Sequence, residues 1–301
     1  MHVRTDDDLD PDDDDLELED DPTIARAPVD PVDDDEFESD EASEIGASHE
    51  RPKRWTVDPI HSDPDFEAID KPAGLSTVSE RWRPQATTVI DEVWRRWRRV
   101  DPDAPRPHVV HRLDRDTTGV LLFARHRDAQ VALREQFRLR TVNKTYEALV
   151  TGVPSPAAGR IEIEVEVDPR RPGGVRTVRR GKPCRTDYEV LEVFREHAWV
   201  RLHPHQGRTH QIRISLQSIG HPCVVDARYG SADPLLLSSF KRHYRAGRGR
   251  PEHPLLARLG LHAARLELAH PMSGQVMAIE APLPKDLSST LRQLRRWARW
   301  R

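Results

Sequence analysis

The sequence predicts an α+β fold, a mixed and largely antiparallel sheet with flanking helices. Three observations carry that prediction. Residues 160–168, "RIEIEVEVD", alternate Ile161, Ile163, Val165 and Val167 with Glu162, Glu164 and Glu166, the period-two pattern of a half-buried strand. Two strand-like runs, 186–194 and 197–203, are separated by only two residues and read as adjacent strands. Amphipathic helical patterns at 87–99 and 128–140 are interspersed among the strand runs without regular βαβ alternation.

Taken in order, "FEAIDKPAGL" (66–75) is a short strand halted by Lys71-Pro72 and a turn at Gly74. In 87–99, Val89, Val93 and Trp97 recur at helical spacing, with arginines on the other face. "GVLLFA" (119–124) is an apolar strand. In 128–140, Ala129, Ala132, Leu133, Gln136 and Phe137 share one helical stripe, and 144–152 is a strand that stops at a glycine. Residues 210–220 place Ile212, Leu216 and Ile219 in helical register before Gly220. The stretch 231–258 reads as a basic loop. Strands at 262–268 and 276–282 then precede a last helix carrying Leu287, Leu291, Leu294 and Trp297.

The net charge of -4 hides a division. Of 47 Lys+Arg and 51 Asp+Glu, the first 50 residues hold two and 22, so the remainder carries 45 against 29, a net +16. Residues 1–50 are too acidic and too poor in aromatics to bury a core and are expected to be a disordered tail. Residues 51–301 form the expected folded domain, whose charge calls for a polyanionic partner. The N-terminus has the pattern of neither a secretory nor a transit peptide. No apolar run reaches the roughly 18 residues of a membrane span. Cys184 and Cys223 have no metal-like spacing. They read as packing residues of a reduced, cytoplasmic protein.

Residues 108–125, "HVVHRLDRDTTGVLLFAR", crowd Arg112, Asp114, Arg115 and Asp116 against a buried strand. A carboxylate there costs free energy unless it is paired. Two readings stay open on these residues alone. Asp114 and Asp116 cap turns and pair with the arginines, or one carboxylate is held at a cleft floor as nucleophile or base. "QGRTHQIR" (206–213) brings Arg208, His210 and Arg213 to a turn opening a helix, suited to an anion or simply to capping. "NKTYEALV" sets Tyr146 near Lys144, either for base stacking or as half-buried core.

The stretch "HRLDRDTTGVLLFAR" resembles the central motif of the RluA-type RNA pseudouridine synthases. "AIDKPAGL" (68–75), "NKTYEALVTG" (143–152), "GRTHQIRISLQSIGHPCVVDARYG" (207–230) and "LGLHAARLELAHP" (259–271) resemble further stretches of that family in the same order. The resemblance implies a pseudouridine synthase fold with a central catalytic cleft. It implies isomerisation of uridine in ribosomal or transfer RNA, with no cofactor, no metal and no obligate protein partner. It also implies roles: Asp114 as the catalytic carboxylate, Arg213 as the partner keeping it ionised, and Tyr146 stacking on the base and helping to remove the C5 proton. Arg112 would fill the gap left by the flipped uridine, with Arg208, His210 and Lys144 as further RNA-binding residues. Such chemistry requires an extruded nucleotide, and the basic domain suits its backbone.

The chain departs from the family pattern at Gln206, Ser215 and Val225, where threonine, histidine and glycine are frequent. None of the three is the carboxylate, tyrosine or arginine assigned to chemistry. The S4 RNA-binding module of many relatives is not recognised here. RNA would then rest on the catalytic domain, with the basic 240–250 loop either taking part or simply solvated. Two rival functions remain: an inactive RNA-binding relative, and a metal hydrolase using His203, His205 and His210. The second lacks an acidic ligand at a recognisable spacing.

Overall fold

The computed structural model describes residues 55–79, 86–171, 173–245 and 251–300. The acidic segment 1–50 and residues 246–250 of the basic loop lie outside them. Residues 56–301 form one compact unit.

Eleven strands make one sheet. In chain order the elements are β1 (Asp58–Ser62), β2 (Phe66–Lys71), α1 (Val89–Val100), β3 (His108–Val109), β4 (Thr118–Ala124), α2 (Arg127–Arg138), β5 (Asn143–Thr151) and β6 (Ala158–Val167). There follow β7 (Val175–Val178), β8 (Lys182–Val193), β9 (His197–Pro204), α3 (Gln211–Ser218), β10 (Leu261–Ala269), β11 (Val276–Glu280) and α4 (Lys285–Trp297). The strand order is β1-β2-β4-β10-β5-β9-β8-β6-β7, with β11 added to β10 and β3 to β4. Among the described residues, every pairing is antiparallel except β4 with β10, where His262 meets Thr118 and Ala263 meets Gly119. That one parallel contact joins the N-terminal half of the sheet to the C-terminal half. The expected α+β class and the mixed, largely antiparallel sheet both hold.

Local chemistry explains most elements. Thr88 and Asp91 form a capping box that starts α1, whose buried residues Val89, Ile90, Val93 and Trp97 follow the predicted stripe. His126 accepts the Ala129 amide to cap α2. Gly220 takes φ +80 just past α3, the left-handed position that favours glycine after a helix. In β6 the alternation buries Ile161 and Val165 but leaves Val167 exposed, because the strand outruns its cover at that end. Strands β1, β3 and β7 carry no strong pattern and went unpredicted. The described part of 231–258 is loop-like, yet it is pinned. Leu235 bridges Leu256, and both are buried with Phe240 against α4.

Two apolar layers cover the central strands. Ala148 and Val150 of β5, with Ala198, Val200 and Leu202 of β9, pack with Ile212 and Leu216 of α3, and Tyr146 lies against that cluster. Leu149 and Trp199, which alternate to the other face, pack with Leu287, Leu291 and Leu294 of α4. Helices α3 and α4 thus sit on opposite faces of β5 and β9. Both cysteines are buried free thiols. Burial pushes Cys184 up to about 11 and raises Cys223 as well, so neither is a ready nucleophile.

Candidate active site

Asp114 sits in the loop between β3 and β4, and the segment leading into α1 holds that loop. The Lys71 ammonium is fully buried and donates to the carbonyls of Pro72, Arg115 and Thr117 at 2.9, 2.8 and 2.9 Å. The Gly74 amide donates to Arg115 O at 2.8 Å. Thr77 Oγ1 donates to Leu113 O and accepts from Leu113 N, at 3.0 and 3.2 Å. Within the loop, Thr117 N donates to Asp114 O at 3.1 Å, closing a turn. Burial pulls the Lys71 pKa down to about 7, against the charges of Asp114 and Asp116, which raise it.

The loop leaves through Gly119, where only glycine fits. Its φ is +114, and an added Cβ would stand 2.1 Å from Ala263 O on the parallel neighbour β10. The apolar run after the charged motif is therefore only half of what places Asp114. Lys71, Gly74 and Thr77 supply the other half.

Arg213 of α3 meets the loop from the opposite side. Its Nη1 donates to Asp114 Oδ2 at 3.1 Å. Its Nε and Nη2 form a fork to Asp226 Oδ2 and Oδ1, each at 2.8 Å. Side-chain exposure separates the two acids: Asp226 is 0% exposed, Arg213 12% and Asp114 25%. One carboxylate locks the guanidinium in the interior, and the other meets it where the site opens. Asp226 also accepts the amides of Arg228 and Tyr229 at 3.0 Å. Burial alone would raise the Asp226 pKa, but Arg213 and these amides outweigh it and hold the group below 3.8. Burial likewise pulls on Arg213, and the two carboxylates more than compensate, so its pKa is raised.

Tyr229 completes the arrangement. Its ring lies under the Arg213 guanidinium at 5.1 Å, and its hydroxyl bonds Val175 of β7 and stands 3.0 Å from His210 Nδ1. His210 Nε2 is 3.8 Å from Asp114 Oδ2. His210 adopts φ 54 and makes no side-chain cap to α3, so it is turned toward the site rather than along the helix. Burial lowers its pKa, partly offset by Asp114. Asp226 and Tyr229 were not singled out in the sequence. The spacing "VVDARYG", directly after a helix, was the available signal.

The remaining predicted residues are spread around this centre. Tyr146 on β5 faces Ala263 and Leu202 in its neighbours and packs on the α3 cluster. Burial first, and the Asp114 charge second, raise its pKa, so the phenol keeps its proton at neutral pH. Lys144 is part-buried and donates to Gln206 O at 2.7 Å; burial pulls its pKa down to about 8. Arg112 is exposed beside Asp114. Arg208 is buried just before α3, its amide donating to Gln211 Oε1 at 3.2 Å.

Of the departures, Gln206 accepts the Arg185 amide and Ser215 is buried beside Thr186. Val225 takes φ 58, a left-handed backbone strained for a β-branched residue. That geometry is the physical reason glycine suits the position.

His203, His205 and His210 go to different partners, His205 pairing with Asp187 and His203 lying near Lys144 O. Another group, Asp63, Asp65 and His270, has ligand atoms within 4.8 Å of one another. His270 Nδ1 accepts the amides of Met272 and Ser273, which puts its proton on Nε2, facing Asp63. That nitrogen is a donor to carboxylates, not an open metal ligand. The cluster ties the β1–β2 turn to the β10–β11 turn.

A family model described as RNA pseudouridylate synthase matches residues 65–218. A protein of Chloroflexus aurantiacus, called an uncharacterized RNA pseudouridine synthase, is 38% identical over 75% of this chain and 65% of its own length. Ribosomal large subunit pseudouridine synthase D of Nitrosomonas europaea is 37% identical over 78% of this chain and 64% of its own. Ribosomal large subunit pseudouridine synthase C of Escherichia coli is 40% identical over 78% and 69%. The chain thus covers just under two thirds of the first two relatives. Among solved structures, human RNA pseudouridylate synthase domain containing 4 is similar, with 26% identity and a TM-score of 0.60. That match covers 79% of this chain and 92% of that one.

Proposed function

Because this chain belongs to the RNA pseudouridylate synthase family, we propose that it isomerises uridine in RNA to pseudouridine, with Asp114 attacking a nucleotide swung out of its helix. In that reaction Asp114 bonds to C1′ as the N1–C1′ bond breaks, the base turns, and C5 displaces the carboxylate as it bonds to C1′. The C5 proton leaves and N1 gains one, so the product is an isomer and no redox partner is consumed. The base atoms are out of reach inside a stack, which requires extrusion.

The observation that carries the reading is the Arg213 guanidinium shared between a buried and an accessible carboxylate. Asp226 aligns the arginine without meeting substrate, and Arg213 presents its remaining N–H face to Asp114. Asp114 is partly exposed and stands 3.8 Å from His210. Pre-alignment of this kind lowers the reorganisation needed during reaction. Tyr146 supplies a neutral ring for stacking. Its raised pKa means that taking up the C5 proton would first require losing its own, so stacking is its primary role. Arg112, exposed beside Asp114, would occupy the vacated stack. Lys144, Arg208 and His210 contribute positive or hydrogen-bonding groups toward RNA.

Large-subunit ribosomal RNA is the proposed substrate class, since the Nitrosomonas and Escherichia relatives are named for it. A cytoplasmic site of action goes with that substrate. Tritium release from RNA labelled at uridine C5 tests the chemistry. Asp114→Asn should lower it by at least about a thousandfold, the scale on which removing a reacting group acts, while RNA binding persists. An active Asp114→Ala enzyme would refute the assignment. Mapping pseudouridine in ribosomal RNA with and without the gene identifies the uridine.

A further inference from the structure

Away from Asp114, on the α4 side of the sheet, cations and aromatic rings are gathered at one corner. Trp297, at the end of α4, has Lys241 Nζ 4.5 Å and Arg296 4.8 Å from its ring centroid. Lys241 also lies 6.0 Å from the ring of Tyr244. Arg242 and Arg296 are exposed. Trp300 is 64% exposed. It lies three positions along the chain from Trp297, a reach of at most about 11 Å. The segment bearing Lys241 is anchored rather than loose, through buried Phe240 and the Leu235–Leu256 bridge.

A ring flanked by cations holds their side chains in place, so less freedom is lost when they meet an anion. An exposed tryptophan beside them offers a face on which any base can stack. Positive charge with a stacking ring fits a nucleic acid strand better than an acidic peptide, which would have no use for the indole. Tyr146 and α3 lie on the other face of β5 and β9 from α4, so this corner cannot hold the target nucleotide itself.

We propose that Lys241, Arg242, Arg296 and Trp300 form a second RNA-contact surface, which holds an unpaired stretch of the same RNA at a distance from the uridine being modified. The inference rests on the RNA reading above and extends it: the catalytic domain grips its substrate at two places, on opposite faces of the sheet. Lys241, Arg242 and Arg296 contact phosphates, and Trp300 stacks on a base.

The test uses the full chain and a labelled 40-nucleotide oligouridylate, with affinity followed by filter binding from 50 to 300 mM salt. Combined Lys241→Glu, Arg242→Glu and Arg296→Glu should weaken binding at least tenfold at the lowest salt. The log–log salt slope should become shallower by about two, at roughly 0.7 per lost phosphate contact on a single strand. Trp300→Ala should weaken binding about fivefold with the slope unchanged, as expected for stacking. The corresponding triple glutamine set, milder for folding, should give the same slope change. Unchanged affinity and slope in both triple variants overturn the proposal. Tritium release by the wild-type enzyme is measured in parallel. Its absence would sink the isomerase reading alone, because filter binding does not depend on the chemistry.

Discussion

Arg160 and Asp187 stand 2.6 Å apart on β6 and β8, and Arg213 and Asp226 stand 2.8 Å apart beneath the Asp114 loop. The residue types and distances are nearly the same. Exposure is not: 51% and 35% for the first pair, against 12% and 0% for the second. At the sheet edge, water competes for both ions and salt screens them. In the interior neither ion can return to solvent, so losing one partner strands the other. The edge strands carry more pairs of the first kind, including Arg176 with Glu166 and Arg185 with Glu162. Of these four pairs, the buried one alone reaches Asp114. Geometry alone does not separate a solubilising ion pair from a structural one; burial does.

The largest expected break is Asp226→Ala. It should cost about 3–5 kcal/mol of stability in urea unfolding, the range for an uncompensated buried charge. Isomerisation should fall in whatever folded protein remains, because Arg213 loses its alignment. A loss no greater than that of Arg160→Ala would undo the comparison. Its pH signature has a fixed sign. The folded-state pKa of Asp226 lies below 3.8, so its stabilisation is complete above that value and is lost as pH falls through the lowered pKa. Asp226→Asn should flatten that acid limb.

Lys71→Met comes next, at about 3 kcal/mol. It removes three hydrogen bonds, two of them to carbonyls of the Asp114 loop. Activity should fall more steeply than stability, since the loop carrying Asp114 loosens. Equal losses would reduce Lys71 to a packing residue.

Asp70 sharpens the comparison from the other direction, as a half-buried carboxylate facing a like charge. Burial, then the neighbouring Asp58 across the strand pair, raises its pKa to about 6. The folded state holds that proton more tightly than the unfolded chain does. The contribution of Asp70 to stability is therefore greatest below 3.8 and falls as pH rises through about 6. Asp70→Asn should gain about 1 kcal/mol at pH 7.5, after allowance for solvent screening, and nothing at pH 3.5. The smallest effect belongs to Arg160→Ala, which should leave the melting temperature within scatter at 0.15 M salt.

Local pattern made most of the fold legible before any coordinates. Periods of 2 and 3.6 belong to the chain's own geometry, so β6, β8, β9, α1, α2 and α4 could be read directly. Strands β1, β3 and β7 could not, because they are short and owe their conformation to a neighbour's hydrogen bonds. For the site, Asp114, Tyr146 and Arg213 were named through resemblance; the residues alone left capping and chemistry both open.

By itself the sequence determined the class of fold, the division of charge between residues 1–50 and the rest, and the motifs that place the chain in its family. Only the tertiary structure decided that Asp226 locks Arg213 from within, that Lys71 clamps the Asp114 loop, and that Gly119 must be glycine because Ala263 lies 2.1 Å from any added Cβ. The physical reason is range. Periodicity and capping act over a few residues, whereas Arg213 meets Asp114 across 99 positions of chain and Lys71 meets Thr117 across 46. No local pattern encodes which distant partner removes a charged group from water.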